Sequence, residues 1–189
     1  MSWSWPACGT ELLHTGDVTI HSDHPFVPPE GDREPLRRLR GRLPSPVSVW
    51  TTGTGRGREG LTISSLLVAD GEPARVLGLV DADSDFWDAD PATWVVNVVG
   101  LEHRFLADAF AGTAPAPGGK FTLGSWSESD WGPVLAGTAG WMGVRLADTE
   151  PRHVGWGLLV EGLVEHVEIG DAEAMAHVRG RYRGIGPTP

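Results

Sequence analysis

The stretch from Val47 to Asp81, VSVWTTGTGRGREGLTISSLLVADGEPARVLGLVD, decides the fold. An apolar, β-branched run leads into Gly55, Gly57 and Gly60, spaced as G-x-G-x-x-G, and Asp81 follows about twenty positions on, as a dinucleotide-binding turn requires. That reading also demands a helix after Gly60 whose N-terminus receives a pyrophosphate. The residues there are LTISSLLVAD. On a helix, Leu61 would share its face with Ser64, Ser65 and Val68, placing two hydroxyls in the buried stripe. On a strand, Leu61 and Ile63 point one way and Thr62 and Ser64 the other, and the β-branched residues suit the pleat. Strand is the better fit. The glycine stretch is therefore expected to be a hairpin loop with two arginines at its tip, followed by GEPARVLGLVD as a turn and a third strand.

Working outward, the segment REPLRRLRGRL carries Leu36, Leu39 and Leu43 at spacings of three and four among five arginines, the pattern of a short helix with a solvated cationic face. Residues 1–30, ending in HPFVPPEGD, lack periodicity and are expected to form a mobile N-terminal arm, leaving one domain over residues 31–185. Downstream, FWDADPAT reads as a polar break and WVVNVVG as a strand. LEHRFLADAFAG reads as a helix with Leu101, Phe105, Ala109 and Phe110 toward the core. GWMGVRLAD and MAHVRGRY look extended. VGWGLLVEGLVEHVEIG is ambiguous: Glu161, Glu165 and Glu168 fall on one helical face, yet its glycines and valines favour a strand with a bulge near Gly162. Several strands, one clear helix and no βαβ alternation predict a small, mainly β barrel.

Composition narrows the function. Fifteen Lys plus Arg against twenty-five Asp plus Glu give a net charge of −10, which opposes nucleic acid or an anionic membrane as partner. The single cysteine, Cys8, permits no intrachain disulfide, C-x-x-C redox motif or thiolate zinc cage. The start MSWSWPACGTELLHTGD has neither a basic n-region nor an apolar h-region, and no apolar run reaches the roughly twenty residues of a membrane span, so a cytoplasmic location is expected. His21 and His24 in HSDH have ligand-like spacing but no evident third ligand, and no metal is expected. No G-x-S-x-G or comparable nucleophile signature is present. The nine tryptophans can fill a core or face a flat ligand.

Read in order, PVSVWTT, GLTISSL, WVVNVVG, LADAFAG and the closing RGRY at Arg179–Tyr182 resemble the flavin reductase-like family of FMN-binding split β-barrels over roughly residues 36–183. The resemblance implies a mainly β split barrel, Greek-key-like, with a few short helices. It also implies a homodimer with flavin sites at the subunit interface, FMN or FAD as flavin, and NADH or NADPH as co-substrate. The activity implied is NAD(P)H:flavin oxidoreduction, with reduced flavin supplied to a partner monooxygenase. Such chemistry needs few acid-base groups, because hydride passes directly from nicotinamide to flavin and the protein stacks and orients the two.

Carried over residue by residue, the resemblance assigns Thr62, Ser64 and Ser65 to the flavin phosphate, since neutral donors can cradle it without a lysine. Ser48, Trp50 and Thr52 would face the isoalloxazine ring. Ser84 would sit near the phosphate, although Asp81, Asp83 and Asp85 crowd it with negative charge. Asn97, His177 and Tyr182 complete the cofactor-binding set. Two departures stand out: where many relatives have G-D-H this chain has Gly155-Trp156-Gly157, with Gly157 in place of the imidazole, and the usual P-P is Glu72-Pro73. The first keeps a second reading open, a non-catalytic flavin- or haem-binding split barrel. Flavin could also be held permanently as a prosthetic group or exchanged as a substrate.

Overall fold

The glycine stretch closes a β-hairpin. In the computed structural model, which describes residues 35–186, β1 is Ser45–Pro46, β2 is Ser48–Thr52 and β3 is Glu59–Ile63. β2 and β3 pair antiparallel with Thr52 opposite Glu59, and Gly53 (φ 74°) and Gly55 (φ 56°) take the left-handed turn that a side chain would resist. The arm expected over residues 1–30, with Cys8 and the His21–His24 pair, lies outside the described residues. A short helix α1, Pro35–Arg40, precedes β1, and its leucines are not buried: Leu36, Leu39 and Leu43 are 58–72% exposed.

LTISSLLVAD is extended, as expected, but broken: β3 ends at Ile63 and β4 runs Leu66–Ala69. Then follow β5 (Arg75–Val80), α2 (Asp85–Asp88), β6 (Thr93–Val98), α3 (Arg104–Phe110), β7 (Trp126–Glu128), β8 (Pro133–Leu135), β9 (Gly140–Leu146), β10 (Arg152–Val154), β11 (Gly157–Ile169), β12 (Ala174–Val178) and β13 (Arg181–Ile185). The main sheet runs β3-β2-β6-β9-β11-β5-β4, with β10 also paired to β11. β3 and β4 stand at opposite ends of this path, yet only Ser64 and Ser65 join them. Two residues span at most about 7 Å, so the sheet must curl until its ends meet. The result is a barrel split at Ser64–Ser65. A second sheet, β1-β12-β13, and a β7–β8 hairpin complete the structure.

The barrel interior is filled by Trp50, Trp94, Phe86, Val96, Val144 and Val160 with their neighbours. Trp50 stacks on Trp94 at 5.4 Å, meets Phe86 edge-on, and lies over Gly78, where a Cβ would come 2.6 Å from its ring. On the outer face α3 closes a second core with Val47, Val49, Leu106, Phe110, Leu135 and Met175. With both faces covered, β2 is buried throughout.

That double burial places the three residues expected to face the ring within the protein's own hydrogen-bond network. Ser48 and Trp50 have no exposed surface: Trp50 Nε1 donates to Ser48 Oγ (3.0 Å), which itself donates to the Ile63 carbonyl (3.0 Å). Thr52 is 6% exposed and donates to the Thr93 carbonyl (2.8 Å). Asn97 is fully buried too, donating to the Val49 carbonyl (3.0 Å) and Thr51 Oγ1 (3.1 Å) and accepting from Leu135 N–H (2.8 Å). It ties β2 and β6 to β8, and both N–H donors of its amide are taken within the protein.

Three local expectations also shift. Leu101–His103 form a 3₁₀ turn before α3, changing the phase, so Phe105 is 65% exposed under the Arg104 guanidinium while Leu106, Ala107, Ala109 and Phe110 go inward. FWDADPAT contains the helical turn α2, which buries Phe86. VGWGLLVEGLVEHVEIG is a strand, but its bulge lies between Val164 and His166. Glu165 is the extra residue, and it meets Arg145 (2.6 Å) and Trp131 Nε1 (2.9 Å) outside the sheet; these partners lower its pKa, Trp131 most. Gly162 remains in register, and its missing side chain leaves room for Trp94.

A Cβ at Gly162 would stand 2.6 Å from Trp94 Cζ2 and press on Val144 as well. Gly162→Ala is accordingly expected to destabilise by about 1–3 kcal/mol, read from chemical denaturation. Asn97→Ala, which strips partners from three buried groups, should cost about 1–3 kcal/mol in the same assay. Loss of flavin affinity at unchanged stability would instead return Asn97 to the ligand.

Candidate functional site

The seam of the barrel opens into a cavity of about 520 Å³, within the usual range for small-molecule sites. Its polar lining comes from Arg40, Ser45, Ser64 and Ser65. Its apolar wall includes Leu66, Leu77, Leu79 and Leu159. Among the described residues no carboxylate belongs to this lining, in a chain of net charge −10.

The local fold explains why two serines surface here. Ser48 Oγ holds the Ile63 carbonyl on one side, and the Ser65 carbonyl accepts from Leu79 N–H (3.0 Å) on the other. The backbone of the join is thus pinned to β2 and β5 while the serines line the cavity. Arg40 Nη2 donates to Ser65 Oγ at 2.8 Å. Donor hydroxyls, one guanidinium and leucine walls suit a molecule with an anionic end and a flat apolar body.

Thr62 does not line the cavity; it donates to the Ala107 carbonyl of α3 (2.7 Å), tying the helix to β3. His177 lies opposite Ser45 on β1 and opposite Tyr182 on β13, and its ring meets that of Tyr182 at 5.4 Å. Directly opposed residues share a face, so Ser45, His177 and Tyr182 form a row leading away from the cavity lining. Tyr182 Oη donates to Asp108 Oδ1 (2.7 Å). Burial, and then the Asp108 carboxylate, push the phenol above its ordinary pKa, which keeps the donor protonated. RGRY therefore has a structural reading as well: Arg179 (φ 52°) and Gly180 (φ 72°) make the β12–β13 turn, and Tyr182 anchors the hairpin to α3.

Ser84 is set apart from this lining. It caps α2, with Oγ accepting from Trp87 N–H (3.3 Å) and donating to the Asp81 carbonyl (2.6 Å). Of the ten residues assigned from the sequence, the cavity lining contains Ser64 and Ser65, and His177 neighbours it through Ser45. Reasoning from sequence missed Arg40, Ser45 and Asp108. Asp108 lies within LADAFAG, and the arginine-rich pattern around Arg40 fits a solvated helix face or an anion site without singling out Arg40.

At the rim, Gly157 begins β11, and a Cβ there would sit 3.1 Å from Leu79 Cβ, against the cavity wall. The tight β10–β11 turn, with Gly155 at φ 61°, holds Trp156 out 86% exposed. Among the described residues no group of three or more His, Cys, Asp and Glu side chains is placed to hold a metal, and no helix is long and apolar enough to cross a membrane.

Residues 40–186 match the family model described as flavin reductase like domain. The chain is 29% identical over 164 residues to the NADH-dependent FMN reductase RutF of Ancylobacter novellus, spanning 85% of this chain and 90% of that one. Among solved structures, the NADH:FAD oxidoreductase SgcE6 of Streptomyces globisporus C-1027 superposes with a TM-score of 0.71 at 25% identity, covering 86% of this chain and 98% of that one. The flavin reductase component BorF of a bacterial two-component tryptophan halogenase gives 0.69 at 20% identity, with 81% and 98% covered, a likeness of fold. The match spans the seam serines, the pinned strands and the closing hairpin, and the chain belongs to the flavin reductase-like family.

Proposed function

We propose that the protein is an NAD(P)H-dependent flavin reductase that takes FMN, or FAD, into the seam cavity and passes reduced flavin to a flavin-dependent monooxygenase. The observation that carries this reading is the cavity itself, which sets Ser64 and Ser65 beside an apolar wall in a chain of this family. The residues fit the cofactor: hydroxyls and a guanidinium suit its phosphate, and leucines suit the isoalloxazine ring. The RutF and SgcE6 names specify NADH with FMN and with FAD.

When bound, the flavin supplies the acceptor for a hydride from reduced nicotinamide. The chain's part is positional. Ser64 and Ser65 fix the polar end on a backbone that β2 and β5 already hold, so little ordering remains to be done on binding. The leucine wall excludes water from one side of the ring. Leu36, Leu39, Leu43 and Leu67, all 58% exposed or more, leave apolar surface on and beside the cavity rim. That surface supports a homodimer in which a second copy covers it. Gly157 favours the rival, a flavin-binding protein without nicotinamide turnover, because position 157 itself brings no imidazole to the rim.

Anaerobic addition of NADH or NADPH to the flavin-loaded protein separates the two: bleaching of the flavin absorbance is expected, and a spectrum that stays oxidised with both supports the binding protein. The Gly157 departure has its own comparison. Gly157→His should exceed Gly157→Ala by about 5- to 30-fold in kcat/KM for NADH, since both variants crowd Leu79 and only one brings an imidazole. Wild-type kinetics faster than either variant would place nicotinamide seating on Trp156 or His177.

A further inference from the structure

We propose that Arg40 completes the anion end of the seam cavity and makes it selective for phosphorylated flavins over riboflavin. The inference rests on reading the cavity as the flavin site, and it names a residue outside the serine segment that identifies the family. Three observations carry it. Among the described residues Arg40 is the only charged side chain in the cavity lining, and Nη2 reaches Ser65 Oγ at 2.8 Å across twenty-five positions of sequence. Among the described residues no carboxylate lies within salt-bridge distance of it, although Arg75 and Arg145 both pair with glutamates. Its backbone is held in place as well, because Arg179 N–H at the β12–β13 turn donates to the Gly41 carbonyl (2.6 Å).

The geometry gives the guanidinium a defined job. One of its five N–H groups is given to Ser65, and the rest can meet a phosphate that also accepts from Ser64 and Ser65. A guanidinium clamped to a serine also costs less side-chain entropy to order than a free one. FMN carries a terminal phosphate and FAD a pyrophosphate; riboflavin carries neither, so it would gain only from the apolar wall.

The test is flavin binding, followed by quenching of flavin fluorescence at several salt concentrations, for wild type, Arg40→Gln and Arg40→Lys. Wild type should bind FMN more tightly than riboflavin. Arg40→Gln should weaken FMN by about 10- to 100-fold, leave riboflavin within about two-fold and flatten the salt dependence of FMN binding. Arg40→Lys should restore part of the loss, since it returns the charge without the fork. Equal weakening of FMN and riboflavin would overturn the proposal and make Arg40 a packing residue of α1. An unchanged FMN affinity in Arg40→Gln would overturn it as well. Wild type that binds neither flavin would sink the reading of the cavity itself, a result distinct from FMN and riboflavin bound equally well, which sinks Arg40 alone. Unfolding curves for each variant show whether a lost affinity reflects a lost fold.

Discussion

Two residues between the ends of a seven-strand path govern this molecule. β3 and β4 can lie at opposite edges and still be joined by Ser64–Ser65 only if the sheet closes on itself. Closure makes the barrel, brings β5 beside the join and leaves the serines where the path's two ends meet. The main-chain groups there are pinned by Ser48 and Leu79, so the join is held firmly where its serines line the cavity. Function is thereby placed by topology before any side-chain chemistry enters.

The interior supports that closure with volume. Trp50, Trp94 and Phe86 fill a space that leucines would leave partly empty, and Gly78 and Gly162 are the counter-shapes that let the indoles approach the strands. Large rings paired with missing side chains form a packing code in which each partner is explicable only through the other. Asn97 plays the equivalent polar part outside the barrel, joining three strands through one amide.

Much of this was legible in the sequence. Parity in LTISSL decided strand over helix, and the ordered matches from PVSVWTT to RGRY identified the family and its barrel. What escaped depended on distant partners. Local parity could not reveal that β2 and the middle of β6 are covered on both faces, so that Ser48, Trp50 and Asn97 are fully buried. The helical look of VGWGLLVEGLVEHVEIG reflects a bulge at Glu165, whose carboxylate finds its partners, Arg145 and Trp131, far away in sequence. Arg40 was hidden among other arginines because only its meeting with Ser65 distinguishes it.

The indole of Trp50 behind Gly78 has a kinetic meaning. With the barrel's inner volume already taken, the flavin of the proposed function would be confined to the outer seam, where Pro44, Leu43 and Arg40 are exposed. A molecule lodged there can leave by shedding surface contacts, with no strand peeled away and no barrel opened. Its residence time is then set by a handful of hydrogen bonds and one wall of leucines instead of by the stability of the fold. On the proposed function, such a site would favour loading and release of the flavin over lifelong retention.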